Sequence, residues 1–179
     1  INCYEPEGNI IGVYFFTPGL HPFGVFHPQV KDLCLMISSL GYMVYAPDIE
    51  DYRKIYIKDS TYSDYVNFFD ACKDHAHLKG LDFKFNIFSV SFGSVLSLRL
   101  AGDPLRNHLI QSLIVFGGIG NWKTTCNHIM EKALFGKRQD GYGVIRTIPA
   151  IFSNLIEFSE SITEKESRDK LRAAWLEYM

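Results

Sequence analysis

The residues best suited to chemistry lie in the run Ser89-Val90-Ser91-Phe92-Gly93-Ser94. An apolar, β-prone segment ends just before it and a helix-forming segment, Ser94 to Ala101, follows, so Ser91 falls at a strand-to-helix turn. A serine in such a turn is lifted above the sheet and stands at a helix N-terminus, where the dipole and the backbone amides favour a developing anion. That setting suits nucleophilic attack on a carbonyl. The turn also needs small residues two positions to either side of the serine, because their backbones approach neighbouring elements, and Ser89 and Gly93 meet that need. Taken alone, the run can also be read as an ordinary turn with a capping serine.

Positioning such a serine takes a sheet and helices, and both are legible. The stretch Ile10 to Phe16 reads as a buried strand that runs into Thr17-Pro18-Gly19. Val30, Leu33, Cys34, Ile37 and Leu40 then recur at helical spacing, with Pro28 in the first turn and Gly41 past the end. Tyr42 to Ala46 is a second strand, stopped by Pro47 and followed by a polar connection without a clear period. Thr61 and Asp64 read as a capping pair, and behind them Tyr62, Tyr65, Val66, Phe69, Cys72 and Ala76 mark one helical stripe that closes near Gly80. Phe83 to Phe88 and Leu113 to Phe116 are the remaining strands. Short apolar strands alternating with helices predict an α/β fold, a mostly parallel sheet with flanking helices. From Asn121 onward the pattern turns helical, with Ile129, Met130, Ala133 and Leu134, then Ile148, Ile151, Phe152, Leu155 and Ile156, on either side of a loop at Gly136 to Gly143. The expected organisation is a core over 1–122 and a helical cap or lid segment over 123–179.

With these pieces in order, the chain resembles the α/β-hydrolase superfamily. Its nucleophile elbow is usually written G-x-S-x-G, and Ser89 stands here where the first glycine is usual. Thr17-Pro18-Gly19-Leu20-His21 resembles the family's oxyanion loop. Gly41 to Asp48 looks like its next strand, with Ile49-Glu50 where Arg-Gly commonly follows. The resemblance covers Ile10 to Trp122, about two-thirds of the chain. It implies that Ser91 is the catalytic nucleophile, that the Leu20 and Phe92 amides form the oxyanion hole, and that Gly19, Ser89 and Gly93 support the elbow. The implied activity is that of a serine hydrolase, an esterase, lipase or thioesterase, which attacks an ester or thioester carbonyl of a small apolar acyl substrate and passes through an acyl-enzyme. No metal or organic cofactor is implied. An acyltransferase would use the same serine, and a non-catalytic binding protein on the same fold is the rival from another class.

The family's triad runs Ser, then acid, then His, on loops after later strands. Downstream of Ser91 the only histidines are His108 and His128. His108 precedes the fourth strand and His128 opens the helical tail. His21, His27, His75 and His77 precede the nucleophile; His21 could approach from the oxyanion loop or stand as a loop histidine near solvent. The leading expectation is an N-terminal portion of a longer hydrolase, ending inside its cap, with the acid and histidine beyond residue 179. The alternatives are a complete domain without a triad and a base donated by another chain.

Composition sets the outer bounds. Of 179 residues, 47% are hydrophobic and 21% charged, the balance of a soluble globular domain rather than a disordered chain. The formal charge is −2 and no stretch concentrates Lys and Arg, which argues against nucleic acid as a partner. No apolar run is long enough to span a bilayer. The chain begins Ile1-Asn2-Cys3-Tyr4, without an initiator Met, a basic n-region or an apolar h-region. Cys3, Cys34, Cys72 and Cys126 are widely separated, so a zinc ribbon or a disulfide scaffold is not expected; buried thiols and a cytoplasmic location are. Gly117-Gly118-Ile119-Gly120 lacks the third glycine of a dinucleotide fingerprint. The cluster Asp70, Cys72, Asp74, His75 and His77 does not share one helix face, as a metal site would require. The oligomeric state is left open.

Overall fold

A computed structural model describes residues 1–118, 120, 121, 123–125, 127, 153, 154 and 156–178 of this chain, with side chains through residue 174. The chain divides into two compact units, one of residues 1–54 and 58–120, the other of residues 55–57 and 121–179.

The first unit is a five-stranded mixed sheet, mostly parallel, with flanking helices. In chain order its elements are β1 (Asn2–Tyr4), β2 (Gly12–Thr17), α1 (Pro28–Ser39), β3 (Tyr42–Ala46), α2 (Glu50–Arg53), α3 (Ser60–Leu78), β4 (Phe85–Val90), α4 (Gly93–Ala101) and β5 (Ile110–Phe116). The strand order is β1-β3-β2-β4-β5, with β2, β3, β4 and β5 parallel. β1 is antiparallel to β3, with Cys3 opposite Tyr45, which makes the sheet mixed at one edge. Three residues carry too little periodicity to be read as a strand.

The path leaves β2 in one direction to form β3 and returns past β2 to form β4. Parallel crossovers keep one hand, so the two connections lie on opposite faces. α1 covers one face, around Phe16, Val44, Cys34 and Ile37. α3 covers the other, where Phe15 meets Tyr65 and Phe69 edge-on with ring centroids 5.4 Å apart, and Phe69 meets Phe85 at 4.9 Å. The alternation along β2 follows directly: Phe15 and Phe16 are both fully buried, on opposite faces. A reversal of this kind opens a crevice at the carboxyl ends of the strands, between β2 and its neighbours.

Helix α1 begins as expected at Pro28, and His27 caps it by accepting from Gln29 N through Nδ1 (3.3 Å). The capping pair expected at Thr61 and Asp64 is corrected. α3 begins at Ser60, and the Thr61 hydroxyl is buried and donates to Asp51 Oδ2 (2.7 Å), bracing the connection after β3 instead of capping the helix. The polar connection also contains one unforeseen helical turn, α2, whose Arg53 makes a two-pronged pair with Asp48 (2.7 and 3.0 Å). At the middle of α3, Arg106 bridges Asp70 (2.6 Å) and Asp103 (2.7 Å).

Cys34 and Cys72 are fully buried and Cys3 is exposed; Cys126 lies outside the described residues. Burial pushes the Cys34 and Cys72 thiols up to about 12, so neither forms thiolate near neutral pH. Iodoacetamide at pH 7.5 should therefore modify Cys3 in the native protein and reach Cys34 and Cys72 only after denaturant is added, as read by peptide mass mapping. Modification of Cys34 or Cys72 without denaturant would contradict the packing.

The outer strand β5 is the least covered. Ile114, Val115 and Phe116 are 43, 38 and 68% exposed, against 0% for Ile87 in β4. In the second unit, α5 (Lys165–Tyr178) is tied to the segment before it by Arg168, which donates to the carbonyls of Glu157 (2.7 Å) and Ile162 (2.6 Å), and by an Arg172–Glu157 ion pair. The Asn154 amide accepts from Ile57 N (2.8 Å) and donates to Ile55 O (2.9 Å), which holds residues 55–57 in this unit. The expected helices around Ile129 to Leu134 and Ile148 to Phe152, and the loop at Gly136 to Gly143, lie outside the described residues. No helix of the described residues is long and apolar enough to cross a membrane.

Candidate active site

β4 continues through Val90, two residues further than its apolar run suggests, and α4 starts at Gly93. Only Ser91 and Phe92 separate them, so the chain reverses within that pair. Ser91 takes a left-handed conformation, φ +51°, which costs an L residue on the order of 1–2 kcal/mol. The turn is held from both sides: Ser91 N donates to Phe116 O at the end of β5 (2.8 Å), and Ser94 N donates to Ser91 O (3.1 Å). Ser91 itself is exposed.

The flanking small residues are explained by how close β2 comes. A Cβ built on Gly93 would lie 2.4 Å from Pro18 O and 2.8 Å from Thr17 O, so only glycine lets the start of α4 rest against the end of β2. The same approach carries the 18–20 loop over the serine. A Cβ on Gly19 would lie 3.1 Å from Ser91 Cβ and 3.7 Å from its Oγ. Leu20 follows half-buried, and Phe92 opens α4 at the positive end of its dipole, with its ring edge-on to Tyr52 at 5.7 Å. The Gly19 loop thus lies against the Ser91 turn on the β2 side, and Phe92 follows it on the helix side.

Ser89 pairs in register with Thr17 and is fully buried, and its hydroxyl has no hydrogen-bond partner among the described residues. A serine fits the steric need at this position but leaves a polar atom dry. Ser89→Ala should therefore stabilise the protein by about 1–2 kcal/mol, seen as a higher urea midpoint with an unchanged slope. A lower midpoint would mean that the hydroxyl has a partner.

Three residues that the sequence did not mark as supporting the site complete the support. Thr17 Oγ1 and Tyr65 OH are 2.6 Å apart, Tyr65 OH and Ser97 Oγ 3.4 Å, and Ser97 Oγ donates to Gly93 O at 3.1 Å. All three side chains are buried, and they join the end of β2, α3 and the first turns of α4. The available signal was polarity at core positions: Thr17 closes an apolar strand, and Ser97 lies on the inner face of its helix.

Three of the described histidines, His21, His27 and His75, make hydrogen bonds to groups other than Ser91. His21 Nδ1 accepts from Phe23 N (3.2 Å), and its ring meets His27 edge-on at 4.8 Å. His75 Nδ1 bonds the Tyr45 hydroxyl at 2.7 Å. His108 lies in a 3-10 turn, Asn107–Leu109, before β5, and His128 is outside the described residues. Asp48, at the end of β3, is paired with Arg53. Among the described residues, no histidine or carboxylate hydrogen-bonds to Ser91 Oγ. The cluster from Asp70 to His77 is dispersed, with Asp70 on Arg106, Cys72 in the core and His75 on Tyr45. The described residues include no group of three His, Cys, Asp or Glu side chains that could hold a metal ion.

Comparison of the sequence with protein-family models and with curated proteins returns no match.

Proposed function

We propose that this chain carries the nucleophile and oxyanion apparatus of a serine hydrolase of the α/β-hydrolase type. The observation that carries the reading is the left-handed Ser91 between β4 and α4, with the Gly19 loop against it. Strain at an exposed residue persists only where the surroundings impose it, and such strain clusters at functional sites. Ser91 Oγ attacks the carbonyl carbon of an ester or thioester with a small apolar acyl group, losing its proton to a general base. The oxyanion sits between the Leu20 and Phe92 amides. Collapse expels the alcohol or thiol, which takes up that proton, and water then hydrolyses the acyl-enzyme to release the acid and free Ser91. An acyltransferase would differ only in the acceptor that replaces water. The base and its acid partner belong to residues outside those described. The spacing of the cysteines favours the cytoplasm as the compartment.

A second reading has one observation in its favour. Ser91 Oγ has no histidine or carboxylate partner among the described residues, which suits a binding protein that keeps the fold without turnover. A fluorophosphonate probe separates the two. Native protein treated with the probe, digested and mapped should carry the label on Ser91. Folded native protein that stays unlabelled would remove the catalytic reading and leave the binding one.

A further inference from the structure

We infer that the buried hydroxyls of Thr17, Tyr65 and Ser97 are positioning residues that polarise the Phe92 amide, the proposed oxyanion donor, through the first turn of α4. The inference rests on the reading of Ser91 as a nucleophile. Its basis is a count of hydrogens. Ser97 has one hydroxyl proton and donates it to Gly93 O at 3.1 Å, so toward Tyr65 it can only accept. Taken singly, either hydroxyl pair can run in either direction; with all three bonds made, Tyr65 donates to Ser97 (3.4 Å) and accepts from Thr17 (2.6 Å). With every proton placed, the direction runs one way: Thr17 to Tyr65 to Ser97 to the Gly93 carbonyl.

The chain does not stop there. The Gly93 carbonyl shares a peptide with Ser94 N–H, which donates to Ser91 O at 3.1 Å. The Ser91 carbonyl in turn shares a peptide with Phe92 N–H. Each donation to a carbonyl strengthens the N–H across the same peptide, by about 10–30% per bond in aligned chains. The three hydroxyls and two peptides thus all point toward one amide. Tyr65 and Thr17 are 0 and 0% exposed, so water does not interrupt the series at its start. The same bonds fix the end of β2 to the start of α4, and with it the spacing between the two oxyanion amides.

The test reads one peptide directly. Ser91–Phe92 is the only Ser–Phe pair in the sequence, so labelling serine carbonyls with ¹³C and phenylalanine amides with ¹⁵N leaves a single NMR cross-peak, that of Phe92 N–H. Tyr65→Phe and Thr17→Val should move its proton upfield, while Thr17→Ser, which keeps the hydroxyl, and Tyr62→Phe, on the same helix but outside the chain, should leave it in place. In protein that labels at Ser91, the maximal rate of fluorophosphonate reaction should fall about three- to tenfold in Tyr65→Phe and Thr17→Val, with the probe's apparent affinity unchanged. Should Tyr65→Phe fail to fold, the Thr17 pair decides. A Phe92 resonance that stays fixed in the hydroxyl-deleted variants overturns the chain. Absence of labelling in the unaltered protein overturns the hydrolase reading, and the catalytic role with it, whatever the resonance does.

Discussion

Ser91→Gly should make the protein more stable and end its reaction with a fluorophosphonate. At φ +51° a serine bears a steric cost that glycine does not. Glycine also loses more conformational entropy on folding, so the net gain should be about 0.5–1 kcal/mol. The exposed hydroxyl has no hydrogen-bond partner among the described residues, and the bonds that hold the turn, Ser91 N to Phe116 O and Ser94 N to Ser91 O, are backbone bonds that survive the change. Ser91→Ala keeps a Cβ in the left-handed region and should give no such gain, while losing the label just as completely. Urea unfolding of the three proteins, paired with mass mapping, reads both effects. A Ser91→Gly variant that is less stable than the parent would contradict the backbone geometry, and label retained at another serine would contradict the assignment of the nucleophile.

Gly93→Ala should act in the opposite sense. In a helix interior alanine is favoured over glycine by about 1 kcal/mol, so propensity alone predicts a gain. Here the new methyl would meet the Pro18 and Thr17 carbonyl oxygens at 2.4 and 2.8 Å, and neither is a side chain that can rotate away. The clash should prevail, at a net cost of about 2–3 kcal/mol. Because relief requires the 18–20 loop to retreat from the start of α4, the rate of labelling at Ser91 should also fall, by about a hundredfold for a displacement near 1 Å. Gly102→Ala supplies the control: it ends the same helix at φ −87°, and its added carbon would find no atom closer than 3.5 Å. That variant should be neutral or slightly stabilised. Equal effects of the two substitutions would mean that β2 and α4 do not approach as described.

The parts of this architecture legible in the sequence are those governed by local pattern. β2 and β3 follow from short apolar runs bounded by Gly and Pro, β4 from the β-prone run that ends before Ser89, and α1 from its spacing and from Pro28. The turn at Ser91 could be placed because a strand pattern changes to a helical one across it and small residues flank it. Other features depend on partners remote in sequence. β1 is a strand because β3 offers it an edge, and nothing in Asn2-Cys3-Tyr4 announces that. Thr61 has the spacing of a capping residue, yet Asp51, ten positions earlier, takes its hydroxyl. The hydroxyls of Thr17, Tyr65 and Ser97 meet across 48 and 32 positions, so no window along the chain contains them. Ser89 was legible as small, but its lack of a partner is a property of the packed interior.

The outer strand also governs how the protein has to be handled. Ile110-Gln111-Ser112-Leu113-Ile114-Val115-Phe116 holds no charged residue and no proline, the devices that ordinarily keep a sheet margin from recruiting further strands. With a net charge of only −2, mutual repulsion between molecules is weak. Self-association through this margin should therefore rise with protein concentration, as light scattering would read. High salt, which screens what repulsion remains, would shorten the useful life of a sample, and dilute, low-ionic-strength buffers well above the isoelectric point near 6.3 are the conditions to start from.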